Sequence, residues 1–182
     1  MKIGDIHKKM FVPEPPEGCD LSQEHILLHC CCAPCSTALI EWMVGEGLRP
    51  GIFFSNSNIV PFHEYSIRRD ELCRYAAAHG LETIDDEYDH AAWLAFVRQL
   101  ETIPVAESVV RQAQGPVIRI ADMPERGPRC LECFKFRLLR AARYAAVNGY
   151  TLLTTTLASS RWKDLEQVDT AGRWACDVVN LS

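Results

Sequence analysis

No apolar run in the sequence approaches the ~20 residues of a membrane-spanning helix, and the lysine-bearing start at residues 1–11 has no hydrophobic signal core behind it. The cytoplasm is therefore the expected compartment, with no membrane partner. Excess positive charge is missing too: a net charge of −5 leaves no global basic footprint, so any contact with nucleic acid must use a local patch. There is no internal repeat or low-complexity tract, which excludes solenoids and compositionally biased linkers. The turn after the first expected strand also lacks a Ser-Gly-Gly-x-Asp-Ser-like phosphate loop. That weakens the alternative of a nucleotide-binding, sulfurtransferase-like enzyme, because cysteines occupy the turn instead.

What the sequence does have is nine cysteines in 182 residues, with 48% hydrophobic content that suffices for one real core. A reducing compartment argues against structural disulfides and leaves metal binding or redox chemistry as the leading use of the thiols. Residues 1–24, rich in proline and charge through Pro13-Glu14-Pro15-Pro16, read as an extended arm, and residues 25–182 as a single α/β catalytic domain.

Within that domain, His25-Ile26-Leu27-Leu28-His29-Cys30 reads as a buried strand, followed by a turn at Pro34 into a helix over 38–46. Further strands are expected at 49–55, 81–84 and 150–156, and further helices at 64–79, 90–101, 133–148 and 163–173. Strands alternating with helices imply a Rossmann-like three-layer α/β fold, its mainly parallel sheet flanked by helices on both faces. A ligand or metal site then belongs at the C-terminal ends of the strands, where the first cysteine run falls.

That run, Cys30-Cys31-Cys32-Ala33-Pro34-Cys35, puts four thiols in six positions at a strand-to-helix turn that favours thiolate. Cys130 and Cys133 form a Cys-x-x-Cys pair at the start of a helix. Alone the pair fits a redox dithiol or half a zinc site; with the first run it supplies the thiolates of an iron–sulfur cluster, and four-thiolate zinc stays open. A non-catalytic zinc module binding RNA or protein is accordingly a rival reading. Cys19, Cys73 and Cys176 read as incidental. His29 reads as a hydrogen-bonded core histidine before a ligand, Asp89 as either a surface carboxylate or a metal ligand or proton donor, and Asn56-Ser57-Asn58 as a loop-fixing or ligand-holding segment. From Arg119 to Arg143 seven basic residues face three acidic ones, a patch in which Arg126, Arg129 and Arg137 either contact RNA phosphates or form a solvated helix face.

Taken together, Leu27-Leu28-His29-Cys30-Cys31-Cys32-Ala33-Pro34-Cys35, Asn56-Ser57-Asn58-Ile59 with Pro61 and Glu64-Tyr65, Tyr88-Asp89, Arg129-Cys130-Leu131-Glu132-Cys133-Phe134 with Arg137-Leu138, and Thr154-Thr155-Thr156-Leu157 resemble the cobalamin-independent epoxyqueuosine reductases of the QueH type. The resemblance implies an oxidoreductase that reduces epoxyqueuosine to queuosine at the wobble position of transfer RNA, with electrons from an external donor. It implies a [4Fe-4S] cluster on Cys31, Cys32, Cys130 and Cys133, Cys30 as a bystander, and a second adjacent iron for which Cys35 and Asp89 are the chosen ligands and catalytic residues. The family's C-terminal Cys-Gly-Cys-like element is not found before Ser182, so a C-terminally shortened member is expected.

Overall fold

The computed structural model describes residues 18–102 and 122–181. Residues 1–17 of the expected arm, and Arg119 of the basic stretch, lie outside the described residues. The rest of the arm includes a short 3-10 turn, Leu21–Gln23, capped by the Asp20 carboxylate.

Four parallel strands, β1 (Ile26–Cys30), β2 (Gly51–Phe54), β3 (Thr83–Asp85) and β4 (Leu152–Thr155), form one sheet in the order β3-β2-β1-β4. β1 pairs with both β2 and β4, so every one of its residues is buried and its apolar run is unbroken. Its side chains alternate between two cores. Ile26, Leu28 and Cys30 meet α1 (Ala33–Gly45) and α2 (Phe62–Ala78) through Ile40, Met43, Tyr65 and Leu72. On the other face Leu27 and Phe53 meet Ala141 and Ala145 of α4 (Pro128–Val147). Helices α3 (His90–Arg98) and α5 (Leu165–Val179) both pack against α4. This is the expected three-layer α/β architecture. Among the described residues no helix is long and apolar enough to cross a membrane.

The helices beside the cysteines begin about five residues earlier than expected. Cys32 is extended and serves as N-cap of α1, with Pro34 in the first turn, where its missing N–H costs nothing. In α4, Gly127 is the N-cap and Pro128 opens the helix, so Cys130 and Cys133 both lie on helical turns. β3 starts two residues late, because the Leu81 N–H is spent on the Ala76 carbonyl that closes α2.

The strand order reverses between β1 and β4, and the segments leaving their C-terminal ends lie side by side there. A buried polar network locks this end of the sheet. His29 Nδ1 contacts Thr155 Oγ1 at 2.8 Å and its Nε2 contacts the Ser55 carbonyl at 3.2 Å, as a core histidine should. Burial, and then Arg137, push its pKa down to about 3, so it stays neutral. Asn56 donates to the Cys30 carbonyl at 3.1 Å and accepts from Arg137, which also donates to the Ser55 carbonyl at 3.1 Å.

This corrects the expectation for Arg137. Only 4% of it is exposed, and it is an internal brace of the β2 exit rather than part of a solvated, phosphate-facing helix surface. Arg140 is similarly engaged, donating from Nη2 to Asp86 at 2.8 Å. Asn56→Ala strands both the Cys30 carbonyl and one side of the Arg137 guanidinium in a dry interior. We expect it to cost about 1–3 kcal/mol of unfolding free energy, read by urea denaturation.

Candidate metal centre and adjoining cleft

The cysteine run diverges as the chain leaves β1. Cys30 still points into the α1/α2 core, where burial pushes its thiol up to about 12, an inert position that suits a bystander. Cys31 N–H donates to Thr156 Oγ1 at 3.2 Å, Ser36 Oγ donates to the Cys32 carbonyl at 2.7 Å, and Ser159 Oγ donates to the Cys35 carbonyl at 2.9 Å. The turn after β4 therefore buttresses the turn after β1.

The result is a compact set of donors: the sulfurs of Cys31, Cys32 and Cys35 lie within 4.8 Å of one another. Cys31 is the thiol of the three whose pKa is drawn down. Hydrogen bonds from Cys32 and then Cys35 lower its pKa against the cost of burial, and the positive charges of Arg137 and Lys163 add to the effect. Lys163 Nζ is 3.9 Å from its sulfur. The Cys32 and Cys35 thiols shift upward, chiefly because each shares its proton with the Cys31 sulfur.

The Cys-x-x-Cys pair occupies the first two turns of α4. Cys130 joins the apolar cluster that includes Cys31, Cys32, Cys35, Phe134 and Leu157. Cys133 accepts a hydrogen bond from the indole N–H of Trp93 at 3.4 Å. Both line a cleft of about 380 Å³ together with Asn58, Trp93, Arg129 and Lys163. Cys130 and Cys133 lie outside the tight three-sulfur group, which instead contains Cys35, expected to serve the second iron. Cys73 sits on α2 and Cys176 on α5, and neither joins the group.

Asp89 is the N-cap of α3: its Oδ1 accepts from Ala92 N–H at 2.8 Å, and its own N–H donates to Ser57 Oγ at 3.0 Å. Arg126, at φ 62°, directs its guanidinium to the carbonyls of Arg161 and Trp162 at 2.8 and 3.2 Å, and so shapes the cleft wall. Arg129 lines the cleft. Reasoning from the sequence missed Trp93, Lys163 and Trp162. On a helix with apolar neighbours such as Phe96 and Val97, Trp93 looks like one more core residue, and for the other two no local pattern marks a residue that reaches a distant thiol or cleft.

The reduced, metal-free protein should carry a single thiolate on this triad at a pH well under the ordinary thiol value of about 8.5. Thiolate ultraviolet absorbance should show it in the parent, lose it in Cys31→Ser, and move it to higher pH in Lys163→Met.

Comparison with known proteins places this geometry in a family. The family model "Epoxyqueuosine reductase QueH" matches residues 26–112 and 113–181. The chain is 38% identical over 152 residues to the epoxyqueuosine reductase QueH of Histophilus somni, covering 84% of this chain and 54% of that protein. It is 37% identical over 149 residues to that of Acinetobacter baylyi, covering 82% and 59%, and 35% identical over 174 residues to that of Haemophilus influenzae, covering 94% and 63%. The chain thus spans little more than half the length of these curated relatives. Its β1 cysteine turn, its α4 pair and the sheet that carries them all fall within the matched residues, and the chain belongs to the QueH family of epoxyqueuosine reductases.

Proposed function

We propose that the protein reduces epoxyqueuosine to queuosine at the wobble position of transfer RNA in the cytoplasm, using a [4Fe-4S] cluster and an external electron donor. The observation that carries this reading is the cleft at the strand switch point of a QueH-family chain, with a charged thiol triad beside it and a second cysteine pair in its wall. The donor chemistry fits such a group. Soft thiolates are its ligands, Lys163 offsets their charge, and Trp93 gives one sulfur an N–H donor of the kind that tunes clusters.

We assign the cluster to Cys31, Cys32, Cys130 and Cys133, and Cys35 with Asp89 to a second iron. Because Asp89 Oδ1 already caps α3, its other oxygen has room for one further role, as ligand or as proton donor but not both. Within residues 25–182, read as one catalytic domain, these groups come from the turn after β1, the start of α1, the N-cap of α3 and the first turns of α4.

Turning an epoxide into an alkene takes two electrons and two protons and releases the oxygen as water. A cluster held by Cys31, Cys32, Cys130 and Cys133 would supply the electrons. The chain's own residues do the remainder. Trp93 and Phe134 give the cleft an apolar wall that limits water, and the Lys163 ammonium offers one proton to the departing oxygen, the second coming from solvent at the open mouth of the cleft. Arg129 stands at the cleft to meet phosphate.

Anaerobic purification should yield a brown protein with iron in modest excess over sulfide that converts epoxyqueuosine-containing transfer RNA. Cys31→Ser should lose the colour, and Cys35→Ala or Asp89→Ala should lose only the iron in excess of the cluster. A colourless, zinc-loaded parent would sink the proposal. Affinity for transfer RNA should fall steeply as salt rises, and charge reversal at Arg129 should both weaken binding and flatten that salt slope; an unchanged slope would remove Arg129 from the phosphate contact.

A further inference from the structure

We propose that the cleft beside the thiols holds one unstacked nucleobase, with the ring of Trp162 as its stacking platform and Asn58 Oδ1 as the acceptor for an N–H on its edge. This rests on the transfer RNA reading above and names how the base would be gripped.

Asn58 follows β2 and lines the cleft. Its neighbours are spent on the protein itself: Ser55 and Asn56 bind Arg137, and Ser57 binds Asp89 and His90. Asn58 Oδ1, by contrast, is buried and has no hydrogen-bond partner among the described residues. An acceptor withdrawn from water and left unpaired is costly unless a donor arrives with a ligand.

Trp162 is the complementary feature. It lines the same cleft yet is 65% exposed, an unusual setting for the largest apolar side chain. Its position is held rather than loose: Arg126 clamps the carbonyls of Arg161 and Trp162, and Gln167 in turn donates to the Arg126 carbonyl at 2.8 Å. The guanidinium of Arg161 lies 4.8 Å from the centroid of the Trp162 ring, covering one face and leaving a base to stack on the other.

A stacking surface and an unpaired edge acceptor, both on residues that line one cleft, match the way proteins read splayed-out bases, by an aromatic platform plus hydrogen bonds to the edge. The acceptor selects a base that offers N–H, as the Watson–Crick edge of guanine and its deaza relatives does. A volume of about 380 Å³ lies within the range of small-ligand clefts.

The test uses the full chain, purified anaerobically, and a labelled anticodon stem–loop RNA with guanine at the wobble position or with an abasic site there. Fluorescence anisotropy should show tighter binding of the guanine RNA by the parent. Trp162→Ala should lose about five- to 150-fold on the guanine RNA, the range of one base stack, with little change on the abasic RNA, and Trp162→Phe should recover most of it. Asn58→Leu should weaken the guanine RNA at least about five-fold and leave the abasic RNA unchanged. Equal losses on both RNAs, no loss, or a parent that binds both RNAs alike would overturn this site while leaving the transfer RNA reading intact. A parent that binds neither RNA would overturn that reading and this site with it. Unchanged thermal midpoints in the variants confirm that folding is not the cause.

Discussion

The buried guanidinium of Arg137 is the constraint on which the functional end of the molecule depends. A charge removed from water is costly unless it is hydrogen-bonded, and here Nε and Nη2 donate to the Ser55 carbonyl and to the Asn56 side chain, which itself holds the Cys30 carbonyl. Three separate pieces of chain are tied together this way: the end of β1, the exit of β2 and the middle of α4. The cysteine turn leaves the first and the Cys-x-x-Cys pair sits one to two turns before Arg137 on the last. Spacing between the two cysteine groups is thereby set by an interaction that involves no sulfur.

The same guanidinium has an electrostatic effect. With Lys163 it surrounds the Cys31 sulfur with positive potential, while the hydroxyl of Thr156 contacts that sulfur at 3.6 Å. One thiol is shifted toward ionisation and its two neighbours away from it, a division that arises from geometry because all three thiols start from the same chemistry. His29, beneath them, is held neutral by burial and by Arg137, and so completes the polar layer without adding charge.

The strand order decides where these groups can face solvent. β1 and β2 run on into the cysteine turn and the asparagine loop, and β4 into the turn of Thr156–Ser159, all at one edge of the sheet. α4 crosses beneath and brings its first turns to the same edge, while α3 adds Trp93. The cleft walls therefore come from segments more than a hundred residues apart. Its rim is stiffened by Arg126, whose left-handed backbone lets the side chain return to the carbonyls of Arg161 and Trp162.

Much of this was legible locally. The unbroken apolar run of β1, the alternation of strands and helices, and the crowding of thiols at a strand-to-helix turn are short-range patterns, and they determined the fold class, the location of the thiol cluster and the family. Helix starts were less legible, because a proline in the first turn looks like a break until the cap before it is known. Arg137 read as a phosphate contact or a solvated charge because helical spacing alone cannot reveal that its neighbour at the exit of β2 is an asparagine able to receive it. Asp89, Trp93, Asn58, Lys163 and Trp162 each take their meaning from partners far away in the chain. The sequence by itself determined the chemistry available, soft thiols on a parallel α/β frame. Only the tertiary structure decided which thiol is drawn toward ionisation, which arginine is buried and which polar atom beside the cleft is left unpaired, because each of these is a property of distance and burial that no neighbouring residue encodes.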